Sequence, residues 1–221
     1  MTKTNAAVLR QHHHPLEIIS LNLPSPSDFQ VLVKMSYSGI CRSQLMEHIG
    51  QHGPDPYLPH LLGHEGSGIV EAVGSKVTKV KPGQKVILSW IKGNGGDSGG
   101  YQIPQNNEMI NAGPITTFST YSLISENRCF PMPQDMPTDI AALFGCAILT
   151  GSGLVYHTIP KNFSGSLAIM GLGGIGMSAL LMSQALKLQR VCVIDISTKK
   201  LEWASKTFGV YCIDANQQNI Q

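Results

Sequence analysis

The chain has 221 residues, enough for one large domain or two small ones, and its 42% hydrophobic and 14% charged side chains build a core and exclude a disordered chain. Sixteen basic against fourteen acidic groups leave a formal charge of +2, too small a bias to draw nucleic acid or an acidic membrane as a partner. Met1 runs into Thr2, Lys3, Thr4 and Asn5 without an apolar stretch, and the apolar run at 166–182 is broken by Gly171, Gly173, Gly174 and Gly176; neither signal peptide nor membrane span is expected, and the location expected is cytoplasmic.

Residues 6–130 are a succession of short β-rich runs cut by Pro and Gly, at 7–9, 30–35, 68–73, 85–90 and 121–124, which predicts a compact, mostly β domain. His12, His13 and His14 lie within an early hairpin sequence and are expected to form a solvated turn. Val77 to Lys81 end in Pro82-Gly83, a turn pair that opens the next strand. The segment 92–114, rich in Gly, Asn and Gln, reads as a surface loop. After Pro137 the composition shifts to Ala, Leu, Ile and Gly, and a strand (166–170), glycine turn, helix (174–188) and strand (191–194) predict a βαβ unit. A further helix (199–208), a short strand (210–213) and a polar tail (217–221) complete the chain. The division expected is a first domain at 1–150 and a second at 151–221.

Gly171-Leu172-Gly173-Gly174-Ile175-Gly176 matches G-x-G-x-x-G, whose glycines allow a tight turn, close backbone approach to a pyrophosphate and close helix–sheet packing. The helix that follows turns its free N–H groups and partial positive charge toward the phosphates. Asp195 ends the next apolar strand 195 − 176 = 19 residues after Gly176, where a carboxylate accepts hydrogen bonds from an adenosine ribose and repels a 2′-phosphate. This points to NAD over NADP. Five cysteines (Cys41, Cys129, Cys146, Cys192 and Cys212) are an odd, widely spaced set that argues against a disulfide framework and leaves metal binding or burial. No two of Cys41, His64 and Cys146 share a short ligand spacing, so spacing alone leaves both readings open.

The runs Gly39-Ile40-Cys41-Arg42-Ser43, Leu62-Gly63-His64-Glu65-Gly66-Ser67-Gly68-Ile69-Val70, Val80-Lys81-Pro82-Gly83-Gln84-Lys85-Val86, Gly145-Cys146 with Thr150-Gly151, and Gly171 to Gly176 occur in an order that resembles the zinc-dependent alcohol dehydrogenases of the medium-chain dehydrogenase family. The resemblance implies an α/β plus β fold: a GroES-like, mostly β catalytic domain followed by a partial Rossmann domain with a parallel sheet. It implies one catalytic zinc held by Cys41, His64 and Cys146 with a fourth position open, the ligand set known for alcohol dehydrogenase, and Glu65 as an occasional or outer partner. It implies that zinc acts as a Lewis acid on an alcohol or polyol while hydride passes to NAD. Ser43 resembles the residue that takes the alcohol proton, Arg42 the one near the pyrophosphate, Thr150 the one against the nicotinamide, and Lys200 the one beside the adenosine ribose. Trp90 and the loop after it are expected to line the pocket for the small-molecule alcohol or aldehyde, and a homo-oligomer is left open.

Several positions depart from the family pattern. No cysteine lies between Cys41 and Cys129, so the lobe that carries a structural zinc in many members is missing. Gln44 stands where many members carry an Asp that orients the ligating His, and its amide oxygen is expected to accept that hydrogen bond. Met46 occupies the usual proton-relay position, with His48 displaced. From Gly171 to Gln221 there are 221 − 171 + 1 = 51 residues, one βαβ and a little more, whereas a dinucleotide fold uses two halves. The chain alone is therefore expected to have little turnover. The alternatives are a non-catalytic metal-binding remnant or partner of a full-length relative, and a zinc-free quinone reductase of the same superfamily, against which all three ligand residues count.

Overall fold

The computed structural model of the chain describes residues 1–217; the remainder of the expected polar tail lies outside the described residues. Contacts divide the chain into two compact units, Met1–Cys146 and Ala147–Gln221. As expected, the first is mostly β and the second a parallel α/β unit. Among the described residues no helix is long and apolar enough to cross a membrane.

The first unit runs β1 (Thr2–Leu9), β2 (Glu17–Leu23), β3 (Gln30–Ser38), α1 (Arg42–His48), β4 (His60–Leu61), β5 (Glu65–Val73), β6 (Lys85–Ser89), β7 (Tyr101–Gln105), β8 (Glu108–Ala112), β9 (Tyr121–Ser125), β10 (Cys129–Pro131) and α2 (Thr138–Leu143). One sheet has the order β2-β1-β4-β8-β7, the other β10-β6-β5-β3-β9. The strands form where β-branched and aliphatic residues can be buried on the pleat. Val8, Leu21, Leu23, Ile103 and Ile110 fill the core of the first sheet, and Val31, Val33, Val70, Val86, Leu88 and Ile124 that of the second. His12 to His14 lie in the β1–β2 turn, with His13 at φ +64°.

The expectation of a surface loop across 92–114 is wrong for its second half. Residues 101–112 form the β7–β8 hairpin, with Tyr101 opposite Ala112 and Ile103 opposite Ile110, turning at Asn106 (φ +52°). Each strand carries only two inward apolar residues, and the outward Gln and Asn side chains hide the period of two. Fully buried Ile103 and Ile110 supply the missing core, and β8 is fastened to β4 through His60 and Asn111. The first half, 92–100, contains no named strand and is tied down by buried Glu126. One carboxylate oxygen of Glu126 accepts the N–H groups of Thr78 (2.6 Å) and Lys79 (2.8 Å), and the other accepts that of Gly96 (2.7 Å).

The second unit runs α3 (Ala147–Thr158), β11 (Leu167–Met170), α4 (Gly174–Ala185), β12 (Val191–Asp195), α5 (Thr198–Phe208) and β13 (Tyr211–Asp214). Its sheet is parallel in the order β11-β12-β13, and its core packs Val155, Ile169, Leu180, Val193, Leu201 and Ala204. Leu201 and Ala204 lie three apart on α5, the spacing that puts both on one face, and Gly209 ends the helix in the left-handed region (φ +65°).

Candidate metal and cofactor sites

In the first unit, Cys41, His64, Glu65 and Cys146 bring one ligand atom each within 4.8 Å of one another. Residues up to 105 positions apart in sequence (146 − 41) meet because three links converge. Cys41 is the N-cap of α1, but its side chain makes no capping bond. His64 lies in the short link from β4 to β5, and Glu65 opens β5. Cys146 follows Gly145 in the turn after α2; a Cβ on Gly145 would stand 2.2 Å from the Leu88 carbonyl oxygen and 2.6 Å from Glu65 Cβ, so no other residue fits there without displacing β6 or Glu65. Ser89 Oγ–H, fully buried, donates to the Gly145 carbonyl (2.7 Å) and pins that turn to β6.

The donor set suits zinc. Two thiols and an imidazole are the N/S ligands that zinc takes in tetrahedral sites, and burial holds the His64 pKa below its usual value, favouring the neutral form that can ligate. Ser43, the second residue of α1, has a buried hydroxyl oxygen with no hydrogen-bond partner among the described residues. Arg42 is exposed at the start of the same helix. A cavity of about 680 Å³ opens beside His64 and is lined by Gln44, Glu47, Tyr57, Leu62, Tyr101 and Thr116 among others. Trp90 is half exposed and is not among the residues that line this cavity.

Gln44 also differs from its expected role. Its Oε1 accepts the Gly63 N–H, and its Nε2 faces His64 Nδ1 at 3.1 Å and Glu47 Oε2 at 3.3 Å. The amide nitrogen, not the oxygen, meets the ring. This arrangement is invisible in sequence because it depends on a backbone N–H 19 residues away. His48 Nε2–H donates to the His14 carbonyl (2.8 Å) and is thereby tied to the β1–β2 turn.

In the second unit, Gly171 leaves β11 at φ +90°, Gly173 is the N-cap of α4 and Gly174 its first residue. A Cβ on Gly176 would lie 1.8 Å from the Gly171 carbonyl oxygen, so glycine is obligatory for this turn-to-helix packing, while a Cβ on Gly173 would meet nothing within 4 Å, leaving room above the helix start. Asp195 ends β12; its Oδ2 accepts the Leu172 N–H (2.5 Å) and its Oδ1 the Ser197 N–H (2.8 Å). The Leu172 bond is the main cause holding the Asp195 carboxyl below its usual pKa; Ser197 N–H and the charge of Lys200 add to it. Thr150 is half-buried in the first turn of α3, and Lys200 is exposed on α5.

Residues 27–134 match the family described as the alcohol dehydrogenase GroES-like domain. The chain is 31% identical to geraniol dehydrogenase of Castellaniella defragrans over 239 residues, covering 96% of this chain and 63% of that protein. It is 30% identical to S-(hydroxymethyl)glutathione dehydrogenase of Photobacterium damsela subsp. piscicida, covering 97% and 64%. Among solved structures, benzyl alcohol dehydrogenase from Acinetobacter calcoaceticus superposes with a TM-score of 0.85 at 28% identity, over 99% of this chain and 66% of that one. The chain thus spans under two thirds of the length of the curated relatives it matches.

Proposed function

We propose that the chain is a zinc-type alcohol dehydrogenase of the medium-chain dehydrogenase family and serves a zinc-dependent oxidoreductase reaction in which hydride passes between a small alcohol and NAD; the match of residues 27–134 to the alcohol dehydrogenase GroES-like domain and the likeness to geraniol and benzyl alcohol dehydrogenases support this reading. The observation that carries this reading is the convergence of Cys41, His64 and Cys146 within 4.8 Å beside the cavity at His64. Zinc, when bound, supplies Lewis acidity at the hydroxyl to be oxidised. Cys41, His64 and Cys146 hold it, and Glu65 stands by as an outer or occasional partner. We assign the Ser43 hydroxyl, buried and without a hydrogen-bond partner among the described residues, to accept a hydrogen bond from the substrate hydroxyl.

The glycine turn 171–176 and the N-terminus of α4 bind the pyrophosphate of NAD through backbone N–H groups. Asp195, kept ionised by the Leu172 and Ser197 N–H groups, still has lone pairs for the ribose hydroxyls and sets its charge against a 2′-phosphate. Within the second unit, Thr150 and Lys200 complete the polar contacts of the cofactor.

Two measurements test the reading. Cobalt(II) added to metal-free protein is expected to give intense thiolate-to-cobalt charge-transfer bands; their absence would contradict the two-thiol site. Calorimetry is expected to show NAD binding more tightly than NADP, with Asp195→Ser weakening NAD and narrowing or reversing the preference. An unchanged preference would remove Asp195 from the cofactor site.

A further inference from the structure

We propose that Gln44, oriented by the Gly63 N–H and Glu47, is a positioning residue that holds the metal-free His64 ring with its proton on Nε2. The consequence for zinc rests on the reading of His64 as a ligand; the tautomer itself does not. Gln44 is buried, and its amide has one accepting end and one donating end. The Gly63 N–H can only donate, so it selects Oε1. Glu47, whose Oε2 lies 3.3 Å from Nε2, selects the same orientation from the other side. Nε2 then presents its second N–H to His64 Nδ1 at 3.1 Å, which must be the accepting, unprotonated nitrogen. A neutral imidazole arranged so carries its proton on Nε2.

That proton sits on the nitrogen a metal needs. Because Gln44 occupies Nδ1, Nε2 is the ring atom left for zinc, and loading zinc there sends the proton to Nδ1, where it meets an amide N–H. Turning the amide over does not solve this: it sets Nε2 against the Gly63 N–H and Oε1 against the Glu47 carboxylate. Either way one buried donor loses its partner. A carboxylate at position 44 would accept from Gly63 and from His64 Nδ1–H together, and an amide at position 47 would donate to it. The pair as found sets its carboxylate behind the amide, one side chain removed from the ring, and the exchanged pair would favour zinc.

The test is the double exchange Gln44→Glu/Glu47→Gln, which conserves side-chain length at both positions. Long-range proton–nitrogen correlation spectra of metal-free protein at neutral pH are expected to show His64 as the Nε2–H tautomer in the wild type and as Nδ1–H in the exchange. Glu47→Gln alone should keep the wild-type tautomer, because the Gly63 N–H still selects the amide oxygen. Competition against a chromophoric chelator should show zinc bound about 10- to 100-fold more tightly by the exchange, the scale set by partners of metal-ligating histidines. An Nδ1–H ring in the wild type overturns the proposal even if the exchange fails to fold, and so does an unswitched tautomer in the folded exchange; zinc bound equally tightly by both proteins would overturn the consequence drawn for zinc. Switched tautomers with zinc bound by neither protein would support the role of Gln44 and reject His64 as a ligand.

Discussion

Replacing Cys146 with alanine is expected to weaken zinc binding by more than about 100-fold, since losing an outer partner of a ligand alone costs up to that factor, whereas Cys192→Ala leaves zinc affinity unchanged. The two cysteines differ in position, not chemistry. Cys146 lies with Cys41, His64 and Glu65, while Cys192 is in the middle strand of the second unit's parallel sheet and belongs to no metal-competent cluster among the described residues. The cysteine side chain is small, so Cys146→Ala opens little space, and the turn that carries it stays pinned by Ser89 to the Gly145 carbonyl. Chelator competition checks the prediction, with thermal unfolding in excess chelator as the control for folding. Equal zinc affinity in the two variants would remove Cys146 from the ligand set.

Glu126→Ala is expected to destabilise the first unit by about 3 to 5 kcal/mol, the combined cost of several buried donors left without an acceptor, less what entering water restores. Those donors are the N–H groups of Thr78, Lys79 and Gly96, drawn from two segments that otherwise have no ladder to join. Burial alone would raise the Glu126 pKa; the three backbone bonds overcome it and hold the carboxyl below its usual value. The sign follows from linkage: the stabilisation is fully present above the ordinary carboxylate range and is lost as the pH falls through the depressed folded value. Glu126→Gln should cost less, because an amide oxygen can keep Thr78 and Lys79 while its nitrogen faces the Gly96 N–H. Urea unfolding at neutral pH measures both variants, and a loss below about 1 kcal/mol for the alanine would mean that the loops do not depend on this side chain.

The same carboxylate shows what could not be read from the chain alone. The strands at 30–35, 68–73 and 85–90 and the βαβ pattern after Ser166 carry strong local periodicity, and the structure forms strands or helices across each. The glycine turn and Asp195 were legible because their spacing is itself the geometry: a tight turn, a helix start and the end of the next strand. Cys41, His64 and Cys146 became legible only through resemblance, since three separate links bring them together. The β7–β8 hairpin stayed hidden because its polar outer face masks two inward residues per strand. Gln44 and Glu126 act through backbone N–H groups that only folding brings near, and side-chain identity says nothing of which end of an amide such a group will choose. The Asp195 carboxylate also holds the Leu172 N–H of the glycine turn, a bond that the sequence does not show.

We propose that the chain holds one zinc, at Cys41, His64 and Cys146. The other metal-competent group among the described residues, Glu47, Asp55 and His60, has no thiol and one imidazole, a poorer match to the N/S ligands zinc takes than two thiols and an imidazole. Elemental analysis of protein purified without chelator is therefore expected to give one zinc per folded chain, removable by chelator and restored on adding zinc back. Two zinc ions per chain, or none after reconstitution, would contradict it.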